Sequence, residues 1–155
     1  DDFVADRERR DLDGSILTFP ADHPKWSYAR VGQDGLVREV AEKRPISPHA
    51  TVGLYLFRRG KDFAWAADRM IARDRRVNGE FYTAPAYNEL IEEGRRVGIY
   101  GIPREGEGMF GMGTPEDLED FLARPESRIA AGVSPSEALE ARSARLEARE
   151  GEPPG

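Results

Sequence analysis

The chain has 155 residues, 29 acidic against 23 basic, for a formal charge of −6, and 39% of it is hydrophobic. That length and apolar content exclude wholesale disorder and fit one domain of ordinary size, while the acidic balance argues against a nucleic-acid backbone binder, which needs a basic face. No run approaches the roughly 20 apolar residues of a membrane span, no signal-peptide pattern opens the chain, and with no cysteine it has neither disulfides nor thiolate metal sites and suits a reducing, cytoplasmic setting.

Phe3, Val4 and the charges after them predict a short helix up to about Arg10. Gly14 to Phe19 (GSILTF) is a compact apolar run stopped by Pro20, a strand buried on both faces. Tyr28 to Val31 and Leu36 to Val40 read as two strands around a Gln33-Asp34-Gly35 hairpin turn. Thr51 to Phe57 (TVGLYLF) is a second continuous β-favouring run, again expected to be buried on both faces. Phe63, Ala67, Met70 and Ile71 then recur at helical spacing over 61–74. A further helix over 84–93 places Tyr87, Leu90 and Ile91 on one face, with Gly94 as its stop. Val97 to Ile102 is another strand. Thr114-Pro115-Glu116-Asp117 starts a helix expected to bury Leu118, Phe121 and Leu122. Strands interleaved with helices predict an α/β fold around an open sheet.

From Arg124 onward there are no aromatic residues and few large apolar ones. Residues 1–123 therefore read as the folded body and 124–155 as a charged, partly helical or disordered tail. Ser134-Pro135-Ser136-Glu137 is a capping box that would open a helix over 135–149, a solvated extension or a docking helix for a partner.

Four clusters set polar groups beside glycine or proline, where a backbone can approach a ligand. In Glu42-Lys43-Arg44-Pro45, an adjacent carboxylate and ammonium can grip a hydroxyl and a phosphate, or form an ordinary charged loop. Asn78-Gly79 fits a tight turn, and Glu80 after it is a ligand group or a cap. Gly106 to Gly113 (GEGMFGMG) could line a ligand, but without a following lysine it is no P-loop. His23-Pro24-Lys25-Trp26-Ser27-Tyr28 offers an aromatic and a hydroxyl to a sugar, or fills the core. His23 and His49 stand beside prolines and do not pair at metal-ligand spacing. Thr114 reads better as a helix cap than as a nucleophile, so covalent hydrolase chemistry is poorly supported.

Taken in order, the clusters resemble one family. Val40-Ala41-Glu42-Lys43 through Pro45 and Thr51-Val52-Gly53-Leu54-Tyr55 look like the second half of the sugar-phosphate nucleotidyltransferases, glucose-1-phosphate thymidylyltransferase among them. Asn78-Gly79-Glu80-Phe81-Tyr82, Ala86-Tyr87-Asn88-Glu89-Leu90 and Phe110-Gly111-Met112-Gly113-Thr114-Pro115-Glu116-Asp117-Leu118 continue in the same order. The last motif resembles the branch found in capsule and surface-polysaccharide gene sets. The resemblance spans about residues 1–123.

It implies the C-terminal, sugar-binding half of a Rossmann-like nucleotide-diphospho-sugar transferase, with a mixed open sheet and flanking helices. In the family a sugar 1-phosphate attacks the α-phosphorus of a nucleoside triphosphate and pyrophosphate leaves, with Mg²⁺ and basic groups stabilising the charge. Carried over, Glu42 would bind sugar hydroxyls, Lys43 the sugar phosphate, and Glu80 another hydroxyl. Gly53 would let the backbone approach the sugar. Ser27 and Tyr28 fall where the family lines the sugar pocket, with Ser27 replacing a usual glycine, and Thr114 would lie near the floor of the site.

The family's glycine-rich triphosphate loop and first metal aspartate have no counterpart in the sequence, and the second metal aspartate is replaced by Gly111. No carboxylate of the chain is assigned as a magnesium ligand and none of its residues as catalytic. Because residue 1 is aspartate rather than methionine, the expectation is a sugar-binding half whose N-terminal, nucleotide-binding half lies elsewhere. The leading reading is a nucleotidyltransferase that makes nucleotide sugars for surface polysaccharide, inactive as this chain alone; a homo-oligomer is compatible with it. The alternatives are a non-catalytic sugar-phosphate-binding or partner-regulating domain, and a structural α/β domain that keeps the motifs as packing.

Overall fold

Five strands carry the architecture: β1 (Gly14–Pro20), β2 (Tyr28–Val31), β3 (Val37–Ala41), β4 (His49–Phe57) and β5 (Val97–Gly101). The computed structural model describes residues 2–132 and joins these strands in one sheet ordered β3-β2-β4-β1-β5. β1 pairs antiparallel with β4 and parallel with β5, and β2 pairs antiparallel with β3, so the sheet is mixed. The helices are α1 (Asp2–Arg9), α2 (Gly60–Ala72), α3 (Tyr87–Glu92) entered through a 3₁₀ turn at Ala84–Ala86, α4 (Pro115–Leu122) and α5 (Glu126–Ala130). The chain divides into two units, one through Met109 and one from Phe110.

In the first unit, all of Gly14–Phe19 is buried, as the unbroken apolar run predicts. On one face Ile16 and Val97 pack with Ala66 and Met70 of α2 and with Tyr87 and Leu90 of α3. On the other, the Arg10 guanidinium after α1 donates to the carbonyls of Ile99 and Gly35, beside the fully buried Leu12. A smaller core of Phe19, Tyr28, Ala50 and Met109 sits near the far end of β1, with Trp26 edge-on to Phe19.

Three polar anchors hold the helices. Glu89 of α3 is wholly buried and its carboxylate meets Arg69, Arg73 and Arg75 at 2.9–3.2 Å. Removing one partner of such a buried set leaves uncompensated charge, so the set fixes α3 against the end of α2. Buried Asp62 at the start of α2 pairs with Arg59 and Arg95, and buried Asp6 of α1 pairs with Arg9 and Arg10.

Several expectations need correction. β4 is not buried on both faces: Ala50 and Thr51 are, but Gly53 is exposed and Leu54 is 58% exposed. β4 lies inside the sheet order, yet its edge away from β1 meets β2 only at Tyr28↔Ala50. Phe63 and Ile71 are exposed, because α2 turns Asp62, Ala66 and Met70 inward instead. In the second unit α4 buries no residue, and Leu118 and Leu122 are exposed. α5 lies in the stretch read as a charged, partly helical or disordered tail. The capping box at Ser134–Glu137 and the helix over 135–149 lie outside the described residues. Among the described residues no helix is long and apolar enough to cross a membrane.

Candidate functional site

The site grows from the ends of β2, β3 and β4 and from one tight turn. Val77 and Glu80 exchange backbone hydrogen bonds of 2.9 and 3.0 Å around Asn78 and Gly79, which both adopt positive φ, 51° and 81°. Two consecutive positive-φ residues define the type I′ turn that Asn-Gly favours. The turn holds Glu80 at a fixed place, and Arg76 steadies it by donating to the Gly79 carbonyl and lying over the Phe81 ring.

Just past β3, Lys43 also sits in the left-handed region at φ 53°, a conformation that a non-glycine side chain adopts only under constraint. Its ammonium donates to the Tyr82 hydroxyl at 3.0 Å and lies 5.0 Å from the centre of that ring. Tyr82 in turn donates to Glu80. The Tyr82 bond, aided by the nearby Glu42 and Glu80 charges, pushes the Lys43 ammonium above its ordinary value.

Beside this chain of contacts, Ser27 donates to the Glu42 carboxylate, and the Thr51 and Tyr55 hydroxyls lie 3.1 Å apart. Burial raises the Tyr55 phenol and the Glu42 charge adds to it, while hydrogen bonds with Thr51 and Ser27 act in the opposite sense. Hydroxyls and carboxylates of this kind recognise a polyol, and an ammonium recognises a phosphate. Between Thr51 and Tyr55 lies Gly53, at φ 97°. The register slips there: Ile16 opposes Tyr55 and Thr18 opposes Thr51, so Val52–Leu54 bulge opposite Leu17. Nothing stands within 4 Å of where a Gly53 side chain would begin. The glycine serves its backbone conformation and leaves open space above it.

Ser27, Glu42, Lys43 and Glu80 thus come together, with Gly53 on the adjacent strand. Tyr28 is fully buried in the small core and its hydroxyl donates to the His23 carbonyl at 2.6 Å. Thr114 lies in the second unit, where its hydroxyl accepts the Asp117 N–H and caps α4. The sequence did not single out Thr51, Tyr55 or Tyr82; for Thr51 and Tyr55 a hydroxyl on an otherwise apolar strand was the available signal. An open cleft of about 500 Å³ adjoins the site, lined by Glu39, Glu42, Arg44, Arg75, Arg76 and Asn88 among others. Of the expected site residues, only Glu42 lines it. Among the described residues no three histidine or acidic side chains are placed to hold a metal ion.

No protein-family model and no curated protein matches the chain. Solved structures do. A nucleoside-diphosphate-sugar pyrophosphorylase from Vibrio cholerae is 33% identical with a TM-score of 0.68, over 74% of this chain and 48% of that one. A Bacillus anthracis protein assigned as a glucose-1-phosphate thymidylyltransferase, in complex with sucrose, is 20% identical with a TM-score of 0.57, over 80% and 48%. A CMP:2-keto-3-deoxy-manno-octonic acid synthetase complexed with CTP is 15% identical with a TM-score of 0.51, over 79% and 53%. The chain spans about half the length of these structures. Its structural neighbours are nucleotide-sugar pyrophosphorylases and related nucleotidyltransferases, and its mixed sheet with flanking helices is a nucleotide-diphospho-sugar transferase fold.

Proposed function

We propose that the chain is the sugar-phosphate-binding, C-terminal half of a nucleotidyltransferase that joins a nucleoside monophosphate from a nucleoside triphosphate to a sugar 1-phosphate, releasing pyrophosphate. The product would be a nucleotide sugar for surface polysaccharide. The observation that carries this reading is the convergence of Lys43 with Glu42, Glu80 and the Ser27, Thr51, Tyr55 and Tyr82 hydroxyls around β2, β3 and β4. Lys43 binds the phosphate; Glu42 and Glu80 accept from sugar hydroxyls.

These residues bind and orient the attacking sugar phosphate, holding its oxygen in line for displacement at the α-phosphorus. Magnesium belongs to the proposed reaction, but the described residues do not fit a metal centre, and no step is derived through it on this chain. The triphosphate and the metal fall to a nucleotide-binding half. The edge of β4 beyond Ala50 supports that division. It has strand pairing only on the β1 side, and Leu54 there is exposed. An unpaired strand edge beside apolar side chains is a template for further strands.

The test is calorimetric titration with glucose 1-phosphate, glucose and inorganic phosphate. Saturable binding of the sugar phosphate, tighter than either fragment and weakened about tenfold or more by Lys43→Ala, is expected. Equal affinity in Lys43→Ala overturns the assignment. Pyrophosphate release by the chain alone, from any triphosphate and sugar 1-phosphate, overturns the need for a second half and the binding-only role given to these residues.

A further inference from the structure

Lys43 and Glu80 carry opposite charges at one site, and Glu80 is close enough to raise the Lys43 ammonium. An ammonium beside a carboxylate can close on it as an ion pair, which turns both charges toward each other and takes a carboxylate oxygen away from a ligand hydroxyl. Here it does not close. Among the described residues Lys43 makes no ion pair; its ammonium rests on the Tyr82 hydroxyl at 3.0 Å, and the same hydroxyl donates to Glu80. The shared hydroxyl stands between the two charges, and the ring that carries it has its centre 5.0 Å from the ammonium. Both ends are anchored: Lys43 by a left-handed backbone, Glu80 by the type I′ turn.

We propose that Tyr82 is a positioning residue that sets ligand specificity, acting as a spacer between Lys43 and Glu80 so that the ammonium and the carboxylate face the ligand instead of each other. The inference rests on the sugar-phosphate reading of the site for its ligand, though not for its geometry. An ammonium has three donors. Tyr82 takes one, leaving two for phosphate oxygens, while Glu80 keeps an oxygen for a hydroxyl. The spacing selects a phosphomonoester that carries hydroxyls on the same molecule, over inorganic phosphate or a free sugar, each of which meets only one end.

Two measurements decide it. In the ligand-free chain, the Lys43 Nζ resonance is followed by NMR on Glu80→Gln, in the wild-type and Tyr82→Phe backgrounds. With the spacer hydroxyl gone the ammonium should close on Glu80, so Glu80→Gln should shift that resonance much more in the Tyr82→Phe background. An equal shift in both overturns the proposal. In titrations with glucose 1-phosphate, Tyr82→Phe should lose about tenfold in affinity, and Tyr82→Phe with Glu80→Gln should recover part of it, because Glu80 no longer competes with the phosphate for the released lysine. A double variant as weak as the single one overturns the spacer. If the wild-type chain binds no glucose 1-phosphate, the sugar-phosphate reading and the specificity role fail together, and the ligand-free NMR comparison still separates a spacer from a packing residue.

Discussion

Asn88 of α3 is hydrogen-bonded to both backbone groups of Val40 on β3. The Val40 N–H donates to Asn88 Oδ1 and Asn88 Nδ2 donates to the Val40 carbonyl, each at 2.8 Å. β3 is an outer strand of the sheet, and the side-chain amide stands in for the next strand there. An edge so covered resists pairing with another chain.

Asn88→Leu leaves both half-buried backbone groups of Val40 unpaired. It should lower unfolding free energy by about 1–3 kcal/mol, read by chemical denaturation with an unchanged m-value. Stability equal to wild type would show that water replaces the amide at no cost.

Gly53→Ala tests the bulge. No atom obstructs the new methyl group, so the cost is backbone strain at φ 97°, about 1 kcal/mol or more. The thermal midpoint should fall, and glucose 1-phosphate binding should weaken if the backbone there approaches the sugar.

Glu92 carries the acid-side dependence. Hydrogen bonds and charge from Arg75 first, and from Arg73 after it, hold its carboxyl below the usual carboxylate range, against desolvation, which acts in the opposite sense. A depressed folded-state pKa stabilises the fold above the unfolded value, near 4.3, and that stabilisation fades as pH falls through the lower folded value. Glu92→Gln should therefore lose that contribution above about pH 5 and flatten the decline in stability below it. The group is exposed, so the effect is small and salt-sensitive. An unchanged acid slope would remove Glu92 from the account.

The open edge of β4 predicts association. Leu54→Lys places a charge beside the unpaired edge and should reduce self-association in sedimentation runs. Supplying the proposed nucleotide-binding half, in cis or in trans, should suppress it as well. A salt-independent monomer with sharp, cooperative unfolding would favour a self-sufficient binding domain instead.

The elements were largely legible because each is a local pattern. GSILTF carries no charge and only small hydroxyls between its apolar residues, and is covered on both faces; Asn78-Gly79 forms the turn that its chemistry demands. What escaped depends on partners distant in sequence. TVGLYLF has the same composition as a doubly buried strand, yet the sheet leaves its outer edge open beyond Ala50. Phe63 looked like core until Asp62, anchored by Arg59 and Arg95, took the inward position. At the site, Glu42, Lys43 and Glu80 were visible as charges beside tight turns. Tyr82 was not, because its role is to stand between two of them, and an aromatic next to apolar residues carries no mark of that.

The two neighbours Asn88 and Glu89 point their contacts to different parts of the molecule, one to the edge of β3 and the other to the end of α2. A single helical turn is thereby fastened to the sheet and to the helix layer at once. Loosening α3 releases both attachments together, so amide protons of β3 near Val40 and of α2 near Arg69 should exchange with solvent as one cooperative unit rather than as an edge that frays before its neighbours. Such coupling ties the backbone leading into Glu42 and Lys43 to the seating of a helix that contributes no side chain to the Lys43–Tyr82–Glu80 set. The rigidity of the proposed ligand site is thus inherited in part from a carboxylate outside the Lys43–Tyr82–Glu80 set.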